Sequence, residues 1–177
     1  MRRTLVLGGA RSGKSAHAEG LLRADAPATY VATARRDPDD AEWSARIAVH
    51  VARRPAEWRT VESDVVAVLR AAAAGDPPIL VDDLATWLTA VLDDTRAWDG
   101  PVEAARQKCA RLVDAVGSCR AELVLVSAEV GLGVVPSTRS GRLFRDELGA
   151  LNAALADRCT DVVLLVAGIP LRLKPGR

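Results

Sequence analysis

The chain has 177 residues, 49% of them hydrophobic, and a formal charge of +1 at pH 7. That length suits a single α/β domain over residues 1–177 with a sizeable buried core. Balanced, dispersed charge argues against a nucleic-acid-binding surface. No run approaches the roughly 18 apolar residues of a membrane span, so no integral membrane segment is expected.

The apolar residues are mainly Ala, Val and Leu, beside only four Trp, one Tyr and one Phe. A Val/Leu-rich sheet covered by Ala-rich helices fits that mixture. Cys109, Cys119 and Cys159 form no CxxC pair and are odd in number, which points to buried free thiols. The apolar run after Arg2 and Arg3 is only about five residues long, too short for a signal peptide, so a cytoplasmic location is expected.

In chain order, residues 4–7 read as an apolar strand ending in glycines, and 15–24 as a helix. A second strand covers 29–33, and 39–51 has helical composition with acidic residues at its start. A short strand is expected at 58–61. Ser63 is the expected N-cap of an Ala/Val-rich helix running to residue 74, stopped by Pro77 and Pro78. A buried strand over 79–81 ends at Asp82. Helices follow at about 84–93 and 101–118, then a buried strand at 123–127 and a loop at 129–137. The next helix sets Phe144, Leu148, Leu151 and Leu155 on one face. Strands at 162–166 and 170–173 close the chain. Strands alternating with helices predict a mostly parallel sheet with helices on both faces. The last pair has too short a connection for a crossover, which predicts an antiparallel edge strand.

Gly8, Gly9, Ala10, Arg11, Ser12, Gly13, Lys14 and Ser15 match G-x-x-x-x-G-K-[ST] without a gap, between a strand and a helix. Glycines at both ends let the loop curl so that backbone N–H groups converge on phosphate oxygens. The helix that follows adds its positive dipole end. Lys14 is placed to reach the outer phosphates of GTP or ATP, and the Ser15 hydroxyl to ligate Mg²⁺. Asp82, at the end of a buried strand, is the candidate acid that assists the metal; Asp83 competes with it, and a helix N-cap is the other use for either. The expected fold is a P-loop NTPase (RecA-like) domain.

Two histidines are present. His17, one turn into the P-loop helix, reads as a partly exposed surface residue. His50 lies four residues after Arg46, on the same helical face, with Arg53 and Arg54 following. A neutral imidazole can attack phosphorus while arginines neutralise the displaced phosphate, but from spacing alone a histidine closing a helix is the favoured reading.

The segments GGARSGKS, YVATA, RIAVHVARRPAEW and EVGLGVVPSTRSGRLFRDELGALN, with the strand ending at Asp82, resemble one family along nearly the whole chain. It is the bifunctional adenosylcobinamide kinase/adenosylcobinamide-phosphate guanylyltransferase family of cobalamin biosynthesis. The resemblance implies that His50 carries GMP covalently and that the P-loop binds the nucleotide. It places further nucleotide contacts on Thr33, Ala34 and Arg35, and on Val51, Ala52, Arg53 and Arg54. Glu62 and Asp82 match further nucleotide or metal contacts, and Glu129 stands at a strand end where it could meet the phosphates. It also implies adenosylcobinamide and its phosphate as acceptors, GTP and ATP as donors, Mg²⁺ as cofactor and a homotrimer. Two segments depart from the family pattern: Ala128 replaces a common Asn, and Asp83-Leu84-Ala85 replaces Cys-Leu-Thr. The rival reading is a P-loop small-molecule kinase without the guanylyl step. A GTP-binding switch is disfavoured because no N/T-K-x-D guanine-reading motif is present.

Overall fold

The computed structural model describes residues 1–35, 51 and 54–174. Its strands are β1 (Arg3–Gly8), β2 (Ala28–Ala32), β3 (Trp58–Val61), β4 (Ile79–Asp82), β5 (Leu123–Ala128), β6 (Asp161–Val166) and β7 (Ile169–Lys174). The described helices are α1 (Lys14–Gly20), α2 (Val65–Ala71), α3 (Leu84–Asp94), α4 (Glu103–Ser118) and α5 (Arg139–Arg158).

All seven strands join one sheet in the order β3-β2-β4-β5-β1-β6-β7. Every neighbouring pair is parallel except β6 with β7. The expected antiparallel edge strand is therefore present. Parallel central strands need apolar residues on both faces, and β1, β4 and β5 supply them. Leu5, Leu7, Ile79, Val81, Leu123 and Leu125 point to the face covered by α2, α4 and α5. Val6, Leu80, Val124 and Val126 point to the opposite face, where they pack with Ala18 of α1 and with Leu22, Tyr30 and Trp58.

This arrangement fixes where a ligand can sit. The helix leaving β1 lies on one face and the helix leaving β5 on the other, so a crevice opens above the carboxyl ends of these adjacent strands. The P-loop occupies that position.

Several boundaries differ from expectation. Helix α1 ends at Gly20 rather than near residue 24, because the chain turns at Leu21 and drops Leu22 into the core. The Arg23 carbonyl then accepts a hydrogen bond from Trp58 Nε1 at 3.2 Å. Helix α2 is capped by Asp64, whose side chain accepts from Val66 N at 2.8 Å, so Ser63 is not the N-cap. It stops at Ala71, three residues early, where Ala72 turns extended and Asp76 accepts from Ala73 N. The expected helix at 39–51 lies outside the described residues apart from Val51.

The three cysteines are free; Cys119 and Cys159 are buried and Cys109 partly so. Burial pushes the Cys109 thiol up to about 11 and that of Cys159 to about 12, so both stay protonated and unreactive at neutral pH. Among the described residues no helix is long and apolar enough to cross a membrane.

The β6–β7 hairpin has a two-residue turn, Ala167 and Gly168, with φ of 51° and 80°. Positive φ at both central positions matches the twist of the flanking strands, but alanine adopts it at a cost. Ala167→Gly should relieve about 1 kcal/mol of that strain and raise the melting temperature by about 2–4 °C, measured by thermal unfolding.

Candidate active site

The phosphate loop is held from three sides. Its own backbone closes with Ser12 N donating to Gly9 O (3.3 Å) and His17 N to Gly13 O (2.9 Å). From the β5 side, Glu129 N donates to Gly8 O at 3.0 Å; from the β6–β7 turn, Gly168 N donates to Ser12 O at 3.0 Å. Gly13 has φ 89° and is the residue from which α1 starts, a conformation that glycine adopts without penalty. A Cβ on Gly8 would overlap Ser12 Oγ and press on the Leu165 carbonyl. The glycines of the motif thus have steric reasons in this fold, and the turn of an edge hairpin braces the loop, which sequence spacing did not reveal.

Ser15, in the first turn of α1 after β1, and Asp82, at the end of β4, lie 67 residues apart and follow strands separated by β5, yet Ser15 Oγ donates to Asp82 Oδ1 at 3.2 Å. The competition between the two aspartates is resolved by the start of α3. Asp83 is its N-cap and accepts from Thr86 N at 2.8 Å, while Asp82 turns to the phosphate loop. The peptide bond joining them is cis. Asp82 Oδ2 also accepts a hydrogen bond from Tyr30 OH at 2.7 Å. Burial first, and then the adjacent Asp82 carboxylate, raise the Tyr30 phenol far above its ordinary range. It therefore remains a donor at any working pH.

Arg54 stacks its guanidinium over the Tyr30 ring, 3.6 Å from the centroid, and donates from Nη1 to Thr60 Oγ1 at 3.0 Å. Among the described residues, its Nε and the Ser12 hydroxyl are buried without a hydrogen-bond partner. Buried donors of this kind are normally satisfied, and a phosphate in the loop offers acceptor oxygens.

A second feature opens beyond the ends of β2 and β3, a cavity of about 890 Å³. Its lining includes Thr33, Ala34, Arg35 and Glu62, together with Trp87 and Lys108 from α3 and α4. Thr33 Oγ1 donates to the Asp83 carbonyl at 2.7 Å, which ties the cavity wall to the Asp82–Asp83 junction. Arg35 Nη2 lies 2.7 Å from Asp94 Oδ2, with Lys108 Nζ at 3.8 Å from the same oxygen. The Arg35 hydrogen bond holds the Asp94 carboxyl below the usual carboxylate range.

The structure brings the P-loop, Asp82 and Arg54 to one side, and Thr33, Ala34, Arg35 and Glu62 into the neighbouring cavity. Val51 is exposed, and Glu129 turns its side chain onto its own loop, accepting from Gly131 N at 2.6 Å. His50, Ala52 and Arg53 lie outside the described residues. His17 is half-buried, close to expectation. Ala128, at a departure from the family pattern, has its carbonyl bound by Asn152 Nδ2 at 3.0 Å.

Residues 4–173 match the family model for cobinamide kinase / cobinamide phosphate guanyltransferase. The chain belongs to that family. It is 45% identical to the bifunctional adenosylcobalamin biosynthesis protein CobP of Pseudomonas aeruginosa, over 97% of each chain. It is 40% identical to the bifunctional adenosylcobalamin biosynthesis protein CobU of Salmonella typhimurium, over 96% of this chain and 98% of that one. Among solved structures, an ATPase from the type III secretion system of pathogenic bacteria superposes with a TM-score of 0.51 at 11% identity. That match covers 93% of this chain and 51% of the ATPase, and shows a shared P-loop fold. As a member of the cobinamide kinase / cobinamide phosphate guanyltransferase family, the chain is an enzyme.

Proposed function

We propose that the chain carries out both family reactions, with the phosphate loop and Asp82 serving each. The observation that carries this reading is the meeting of Ser15 Oγ and Asp82 Oδ1 at the end of the Gly8–Ser15 loop. In the kinase step, the primary hydroxyl of adenosylcobinamide attacks the γ-phosphorus of ATP or GTP. The bond to the bridging oxygen breaks, the nucleoside diphosphate leaves and the hydroxyl proton passes to solvent. Lys14 and the loop amides stabilise charge on the transferring group.

In the guanylyl step, an imidazole nitrogen of His50 attacks the α-phosphorus of GTP and pyrophosphate leaves. A phosphate oxygen of adenosylcobinamide phosphate then attacks the same phosphorus, the N–P bond breaks, and adenosylcobinamide-GDP is released with free imidazole. Splitting one displacement between polyanions into two steps is what a covalent nucleophile offers. Resemblance is the support for His50, and for Thr33, Ala34, Arg35, Glu62, Val51, Ala52, Arg53 and Arg54 as nucleotide contacts. That the cavity is lined by four of these residues agrees with a nucleoside site there.

Mg²⁺ fits this donor set. Among the described residues no group of three or more His, Cys, Asp or Glu converges. One hydroxyl and one carboxylate suit an ion that keeps waters and takes its other ligands from phosphates. When bound, Mg²⁺ neutralises phosphate charge; Ser15 and Asp82 would hold it. A homotrimer is part of the same reading, supported by the exposed Ile169, Leu171 and Leu173 on edge strand β7. So is a cytoplasmic location, which the three free thiols suit.

The test is mass spectrometry of the protein after incubation with GTP, alongside phosphorylation of adenosylcobinamide. A GMP adduct on His50 with kinase turnover supports the proposal; kinase turnover with no adduct leaves a simple kinase. The two aspartates give a second test. Asp82→Asn should lower phosphoryl transfer by about 10²-fold or more without unfolding the chain. Asp83→Ala should cost about 1 kcal/mol through loss of the α3 cap. Its melting temperature should fall by about 2–4 °C while activity at 25 °C persists.

A further inference from the structure

Tyr30 is the chain's one tyrosine, and neither motif spacing nor the resemblance gives it a task. It is 2% exposed, in the middle of β2, with Trp58 and Leu80 packed around it. A phenylalanine would satisfy those apolar contacts, so the hydroxyl needs a separate reason. That reason is Asp82: the hydroxyl donates to Oδ2 at 2.7 Å while Oδ1 accepts from Ser15 at 3.2 Å. A carboxylate at the end of a strand can rotate about its last side-chain bond, and two donors on its two oxygens fix that rotation. On the other side, the ring carries the Arg54 guanidinium at 3.6 Å, while Thr60, the register partner of Tyr30 on β3, holds its Nη1.

The geometry points to Tyr30 as a positioning residue of the phosphate site, its hydroxyl setting the Asp82 carboxylate against Ser15 and its ring seating Arg54 beside the same phosphates. The inference rests on the proposed nucleotide function of that site and adds to it a residue that acts through Asp82 and Arg54. The two roles separate chemically. Tyr30→Phe removes the hydroxyl and keeps the ring; Tyr30→Leu removes both.

The experiment is calorimetric titration of the full chain with GTP, with EDTA and at a series of Mg²⁺ concentrations. For Tyr30→Phe, the Mg²⁺ concentration that half-supports GTP binding should rise about tenfold, with affinity in EDTA within about twofold of wild type. An unchanged or lower Mg²⁺ requirement overturns the hydroxyl's role, and so does an equal loss with and without the metal, which would mark a merely structural residue. Tyr30→Leu should also lose GTP affinity in EDTA, by the same factor as Arg54→Met, about fivefold. If it does not, the ring does not seat Arg54. Should Tyr30→Leu fail to fold, Tyr30→Phe still decides the first half. Absence of GTP binding by the wild-type protein would instead strike at the proposed function.

Discussion

Lys14→Ala is expected to lower phosphoryl transfer to adenosylcobinamide by about 10³-fold in kcat, with a smaller rise in KM for the nucleotide. Lys14 is the first residue of α1, directly after Gly13. Its ammonium is a mobile charge, as is the exposed Arg11 guanidinium, on a loop otherwise made of fixed backbone dipoles. Those dipoles hold the ground-state triphosphate almost as well without it. The charge that develops on the γ-phosphoryl oxygens during transfer is what the lysine meets, so its removal falls mainly on kcat. Steady-state assays with ATP and with GTP check this, and an unchanged melting temperature confirms that the partly exposed side chain was not holding the fold. A loss confined to KM would mean that Lys14 only gathers substrate.

Local chemistry made much of this legible in the sequence. Residues 8–15 are readable because a loop that wraps phosphate needs glycine at fixed offsets, and the structure supplies the cause in the overlap that a Gly8 Cβ would suffer with Ser12. The strand 79–82 announces itself as a buried apolar run ending in acid. What could not be read depends on pairings across the sheet. Asp82 and Asp83 are adjacent and identical, and only the packing of β4 beside β2 and α1 decides which faces Ser15. Tyr30 carries no local signal of its hydroxyl's task, because its partner is 52 residues away. Ser63 and Asp64 are both acceptable N-caps; the turn taken by the chain after β3 selects Asp64. The bracing of the P-loop by Gly168 depends on β6 lying next to β1, a fact of strand order that no local pattern encodes.

The phosphate loop and the cavity also bear on how two reactions share one sheet. They flank the same junction: Asp82 faces Ser15, and the Asp83 carbonyl receives Thr33. A nucleotide with its phosphates at the loop and its nucleoside towards the cavity would span that junction. A change on either side would then be felt in both activities, unless it removed a group that only one of them uses.

His50→Asn is the substitution that meets that condition. It should abolish the GMP adduct and lower guanylyl transfer to adenosylcobinamide phosphate by about 10⁴-fold or more, because asparagine has no nitrogen lone pair able to attack phosphorus. Kinase turnover should stay within about threefold of wild type, since direct transfer of the γ-phosphoryl group needs Lys14, Ser15 and Asp82 but no covalent intermediate. The sign of the pH dependence follows from the same chemistry: imidazole attacks only when neutral, so guanylylation should fall as pH drops through the histidine range while the kinase step does not follow it. Incubation with α-labelled GTP reads the adduct directly, and a phosphoramidate is distinguished by being acid-labile and base-stable. An adduct that persists in the variant would move the nucleophile to another residue. Equal loss of both activities would make His50 a nucleotide-binding group rather than the carrier of GMP.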